Sequence, residues 1–330
     1  MIRIFAALFL LFAAPALAEE PPTPMERAFA MMVAEDYPGA RAIIEPLAAT
    51  GDKDAQHMLG YLEQFGLGGP KSLQRAIDLY YKAALAGSAD AQYALGELAF
   101  HGDGVVVNYE HAAGWYRLAA DQGHVGAITR LGEMHAKGLG IGEDQAAAAA
   151  LFAKAADADD PVAEYYLANA YFAGKGVAQD DEKAARFYQR AAEKGHPDAA
   201  YNLALMYLEG RVKKPDQGAA YRWMKAAADA GLGEAYVALG VMAHQGEAGE
   251  GDLAADWFEK AARAGDPQGQ FFYAVSLAQG DGRAVDPGLS LMWLDRALGA
   301  GGELPDQMRA DAEALRARLT AETSAARRTP

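Results

Sequence analysis

The chain has 330 residues, with 45 Asp and Glu against 30 Lys and Arg for a formal net charge of −15, and it contains no cysteine. Excess carboxylate repels the phosphates of nucleic acids and anionic membranes, and no basic stripe reverses this locally, so neither is expected as a partner; a basic partner, or simply solubility, fits the balance. The missing thiol excludes disulfides, thiolate metal sites, a cysteine nucleophile and the acylated cysteine of a lipoprotein.

Residues 1–18, MIRIFAALFLLFAAPALA, carry Arg3 near the start, an apolar run from Ile4 to Ala14, and Ala16-Leu17-Ala18 as a small-x-small cleavage signal before Glu19. This is the pattern of a secretory signal peptide; the run is too short to span a bilayer comfortably and Pro15 interrupts it. The expectation is export, to the periplasm in a Gram-negative cell or to the outside, with no membrane insertion once the segment is removed. Losing Arg3 would leave 29 basic residues against 45 acidic ones, a charge of −16. Residues 19–24, EEPPTP, read as a disordered leader. Over 25–53 a helix from Met25 presents Ala28, Met31 and Met32. Asp36-Tyr37-Pro38 then caps a second helix that runs to about Ala49, with Pro46 expected to kink it. This pair reads as an N-terminal capping repeat.

A 36-residue pattern occupies 54–303. Gly51, Gly87, Gly123, Gly195 and Gly231 fall at multiples of 36, Asp159 stands once in glycine's place, and Gly265 and Gly301 continue the column after a unit two residues short. A second column runs Gly66, Gly102, Gly138, Gly174, Gly210, Gly246 and Gly280. Between the columns the spacing is helical: Ala163, Leu167, Ala168 and Tyr171 form one stripe, and Ala184, Phe187, Tyr188, Ala191 and Ala192 the next. Each repeat therefore predicts helix A, a tight loop, helix B and a tight turn, small residues letting the helices approach and aromatics filling the gaps. Residues 304–323 place Met308, Ala312, Leu315 and Leu319 on one face and read as a C-terminal capping helix, with 324–330 a disordered tail.

The order A-x-x-x-L-[GA], G-x-G, A-x-x-[WF]-[YFM]-x-x-A-A and a closing glycine resembles the Sel1-like repeat, the 36-residue relative of the tetratricopeptide repeat. Seven copies stand in phase over about four-fifths of the chain. The fifth departs with Arg211-Val212 in place of G-x-G, and the seventh with Tyr273 for the leucine and Leu298 for an alanine. The resemblance implies an all-α, right-handed α-solenoid of helix-turn-helix repeats. It also implies adaptor or regulatory work in a cell-envelope complex, since members of the family act in secretion, envelope assembly, signalling control and host contact.

Candidate chemistry is sparse. The glycine-rich loops follow helices and lack the Gly-Lys-Ser/Thr ending of a phosphate cradle. His124 and His196 share a column two repeats apart, about 20 Å, too far to share a metal. Neither G-x-S-x-G nor S-x-x-K occurs, and carboxylate pairs such as Asp180-Asp181 lie at helix starts, where they serve as caps. No cofactor, metal or catalytic residue is expected. Some exported Sel1-like proteins have been described as β-lactam hydrolases, but those are cysteine-rich. What remains is surface: the positions at i+3, i+7 and i+10 from Val162 point away from the predicted A-helix core stripe. Across repeats they yield Tyr93, Phe100, Tyr165, Phe172, Tyr201, Leu205 and Leu208, an apolar strip where a solvated face would be charged, with Glu97, Glu133 and Asn169 as its polar specificity. A groove for a protein or peptide partner is the expectation; a glycan or exopolysaccharide ligand is the alternative.

Overall fold

The computed structural model describes residues 21–212, 214–246, 253–299 and 304–326; the signal-peptide reading lies outside them. The described residues form 17 helices and no strand, in two compact units, 1–108 and 109–330.

In the first unit, α1 (Pro24–Val33), α2 (Tyr37–Ala49), α3 (Lys53–Phe65), α4 (Leu73–Leu85) and α5 (Ala89–His101) follow one another. Thr23 opens α1 with a capping box, its hydroxyl accepting from the Glu26 amide while the Glu26 carboxylate accepts from the Thr23 amide. α2 runs through Pro46 to Ala49. Ala28, Ala40, Ile44, Ala55 and Leu62 are fully buried between α1, α2 and α3. Beside them the buried carboxylate of Glu63 is held by Arg41 and, at 3.3 Å, by Arg75.

The second unit contains α6 (Tyr109–Asp121), α7 (Val125–Lys137), α8 (Gln145–Ala156), α9 (Pro161–Ala173), α10 (Asp181–Glu193), α11 (Pro197–Leu208) and α12 (Gln217–Asp229). It continues with α13 (Gly233–His244), α14 (Ala254–Arg263), α15 (Pro267–Gln279), α16 (Pro287–Leu298) and α17 (Asp306–Ala326). A core of Ala, Leu, Met and Tyr threads α9 to α14, and a second one, around Phe258, Phe271, Trp293 and Leu294, threads α14 to α17.

The same local devices recur in most repeats; the unit at 233–266, with Leu232 and Leu253 at its two caps, has no side-chain cap at either helix. At the start of helix A the Asp52, Ser88, His124, Asp160, His196 and Asp266 side chains accept backbone amides of the first turn. At the start of helix B, Ser72, Asp144, Asp180, Asp216 and Asp286 do the same. The backbone amides of those helix B caps also donate back to helix A carbonyls, Asp144 to His135 and Asp180 to Tyr171 at 3.0 Å, which fixes the hairpin.

The two glycines of G-x-G have different tasks. The first, as at Gly174, ends helix A in the left-handed conformation that an L side chain resists. The second lets the loop pass against the preceding helix B: a Cβ on Gly176 would lie 1.9 Å from the Gln145 carbonyl oxygen, and one on Gly140 2.3 Å from the Tyr109 carbonyl carbon. In the fifth copy, Arg211 instead ties the loop to Asp181 through two bonds of 2.9 and 3.0 Å.

Close helix approach explains the small-residue column. A Cβ on Gly132 would meet the Phe152 ring at 2.7 Å, and one on Gly240 the Phe258 ring at 2.3 Å; Ala168 and Ala204 fill the same column fully buried. Overpacking such a contact costs about 1 to 3 kcal/mol. Ala168→Leu should therefore lower the urea midpoint of the second unit; an unchanged midpoint would mean that α9 and α10 are not packed this closely.

Candidate interaction surface

The predicted wall positions fall in both units. In the first, Tyr93, Glu97 and Phe100 are half-buried on α5. Glu97 lies 3.6 Å from His101, whose ring meets Phe100 edge-on at 5.1 Å.

In the second unit Tyr165 and Phe172 on α9, and Tyr201, Leu205 and Leu208 on α11, are all half-buried and pack on the one core that threads α9 to α14. They combine an exposed apolar edge with a seated base, which limits the side-chain entropy that a partner would have to quench. Asn169 accepts a hydrogen bond from the Tyr188 hydroxyl, which orients its amide. Burial, and next the charge of Glu234, raise the Tyr201 phenol above its ordinary value.

Glu133 is placed differently. It is only 5 % exposed and lies 3.1 Å from Arg130 and 3.5 Å from Lys137 on its own helix, α7. Burial, then the Glu133 charge, push the Tyr166 phenol up to about 12. Glu133 is thus buried between two cations and a tyrosine.

Two residues join the wall that the sequence does not mark as its neighbours. Arg211 lies with its guanidinium 4.0 Å from the centre of the Phe172 ring. Its only signal in the sequence is the broken G-x-G. His196 stacks on Tyr165, with ring centres 4.5 Å apart and planes 19° from parallel, while its Nδ1 accepts the Ala199 amide at 3.4 Å. That cap requires an unprotonated Nδ1.

The pH consequence has a definite sign. Burial lowers the His196 pKa below the ordinary 6.5, against smaller upward effects of Asp198 and Asp160. A depressed folded-state value means that the unfolded chain binds the proton first. Stability should then be full above 6.5 and fall as pH drops from 6.5 through the folded-state value. Urea midpoints measured from pH 8 to pH 5 should show this loss, and His196→Asn, which caps without titrating in this range, should flatten it. An equal slope in both proteins would contradict the cap.

Among the described residues no group of three or more His, Asp or Glu is placed to hold a metal ion, and no helix is long and apolar enough to cross a membrane. What the surface offers is aromatic and aliphatic edges around one oriented amide. Such a set recognises side chains and backbone amides.

The repeat register has counterparts among known proteins. The family model described as Sel1 repeat matches residues 53–88, 89–124, 125–160, 161–196, 197–232, 233–266 and 267–301. The crystal structure of a Sel1 repeat protein from Oxalobacter formigenes is 30 % identical, with a TM-score of 0.66, over 73 % of this chain and 97 % of the other. A protective antigen of uropathogenic Escherichia coli displaying an SLR fold is 23 % identical, with a TM-score of 0.59, over 90 % of this chain and 83 % of the other. No match is found among curated proteins. With seven matched units in phase and a 30 % identical relative covered almost end to end, the chain belongs to the Sel1 repeat family and has its all-α solenoid fold.

Proposed function

We propose that this protein is a non-catalytic scaffold of the cell envelope that holds a peptide or protein partner along the A-helix wall of its second unit. The observation that carries the reading is the run of half-buried Tyr165, Phe172, Tyr201, Leu205 and Leu208 on α9 and α11, seated on one core and open on the outer edge. Tyr93, Glu97 and Phe100 offer the same column in the first unit. Export rests on residues 1–18, whose basic start, apolar run and Ala-x-Ala end suit a cleaved signal.

The test is a double variant, Tyr165→Ala with Phe172→Ala, in pull-downs from an envelope extract. Aromatic anchors at the centre of an interface each contribute about 2 kcal/mol or more, about 30-fold apiece, so capture by the double variant should fall on the order of 1,000-fold. Each truncation removes part of a half-buried ring at a cost of roughly 1 to 2 kcal/mol. The melting temperature should drop while the helical circular dichroism at 25 °C persists. A variant that still captures its partner, or one that no longer folds, counts against the wall.

A further inference from the structure

Two cavities of about 240 and 360 Å³ open on the second unit. One lies among α7, α8 and α9, the other among α13, α14 and α15. They are the same place in the repeat, offset by three repeats less the two-residue deficit. Phe152 and Tyr166 floor the first with rings stacked at 5.0 Å and 20°; Phe258 and Phe272 floor the second at 4.9 Å and 23°. The mouths differ in charge at one column. Lys175 stands at the first and Asp281, 3.4 Å from His244, at the second.

The column is filled differently between α9 and α11. Arg211 occupies the column of Lys175 and Asp281 there, lies over Phe172 and is fixed by Asp181. Asn202 stands where Tyr166 and Phe272 supply the second ring. Two ring-floored crevices three repeats apart thus carry opposite charges at one column of the mouth.

Building on the peptide-binding reading above, we propose that the second unit reads an extended peptide through these two crevices. Each takes one large apolar side chain, with an acidic residue of the peptide beside Lys175 and a basic one beside Asp281. Successive A helices lie about 10 Å apart, so three repeats span about 30 Å. An extended chain advances about 3.3 Å per residue, which places the two anchors about nine residues apart. Opposite mouth charges fix the direction of the peptide, because reversing it sets like charges against each other.

The experiment selects random 16-residue peptides displayed on phage against the purified full-length protein, then measures the resynthesised, fluorescein-labelled peptides by anisotropy. The expected ligands carry two large apolar residues about nine apart, with Asp or Glu flanking one and Lys or Arg the other. Ala173→Trp and Gln279→Trp, exposed positions of one column at the two lips, should each weaken binding roughly tenfold, and Lys175→Glu should transfer preference to peptides with a basic residue at the acidic site. The charge exchange decides the matter if a tryptophan variant fails to fold. Peptides that ignore the lip and charge variants but are lost with Tyr201→Ala and Leu205→Ala would overturn the crevices and leave the wall standing. Peptides indifferent to every one of these variants, or no selected peptide at all, would overturn both.

Discussion

Alanine in place of Gly176 should destabilise the second unit by about 3 kcal/mol, whereas alanine in place of Gly195 should cost about 1 kcal/mol. Both glycines have positive φ, +74° and +89°. An L residue there is strained by about 1 to 2 kcal/mol. The difference is what the new methyl would touch. At Gly195 nothing lies within 4 Å, and Asp159, at φ 63°, already occupies the same column with a side chain. At Gly176 the Cβ would meet the Gln145 oxygen at 1.9 Å and its carbonyl carbon at 2.4 Å. Both are backbone atoms of the first turn of α8, which Asp144 caps, so no side chain can swing aside and the loop must lift off the helix. That adds about 1 to 3 kcal/mol. Because unfolding of long repeat arrays need not be all-or-none, hydrogen exchange of α8 and α9 is the appropriate readout. Equal effects at the two positions would mean that the loop does not lie against α8 as described.

The second large effect concerns Glu164, whose side chain is wholly buried at the start of α9. Arg190 at 2.6 Å and Lys194 at 2.8 Å reach it from α10, and both also reach Asp159. In the same column of other repeats stand Gln56 and Gln92, whose amides donate at 3.2 Å to the Ala48 and Ala84 carbonyls at the end of the preceding helix. Here the equivalent Ala156 carbonyl accepts from Arg190 instead, at 3.0 Å. The Arg190→Ala, Lys194→Ala pair would strand the carboxylate away from water, an expected loss of about 3 to 5 kcal/mol. Adding Glu164→Gln should recover most of it, because the amide carries no charge and can take the carbonyl that its counterparts take. Urea unfolding of the double and triple variants checks this. A triple variant no more stable than the double would show that the cost arises elsewhere than at the buried charge.

Much of the fold was legible because a two-helix unit repeated in phase declares its own boundaries. Gly174 and Gly176 mark a helix end and a close pass, and the Ala168 column marks where helices touch. Glu164 shows where that reading stops. As a first-turn acid on a helix it resembles a dipole partner in sequence, and its burial depends on Arg190 and Lys194, on the next helix. His124 and His196 announced themselves as a column, but their use as caps depends on the backbone geometry of the turn. For the wall, spacing identified the side of helix A but not the depth of each side chain. Leu205 keeps an open edge, while Glu133, in the same column, is drawn beneath the surface by Arg130 and Lys137. The crevices required the structure, since their floor pairs helix B of one repeat with helix A of the next.

The wall is tested most directly by a photo-activatable phenylalanine analogue placed in the native host at Leu205, and separately at Leu118, which is 49 % exposed on the helix B side. The expected result is a discrete cross-linked partner from Leu205, its adduct mapped to an extended segment, and none from Leu118. Adducts from Leu118 with none from Leu205 would place the partner on the opposite face and contradict the account.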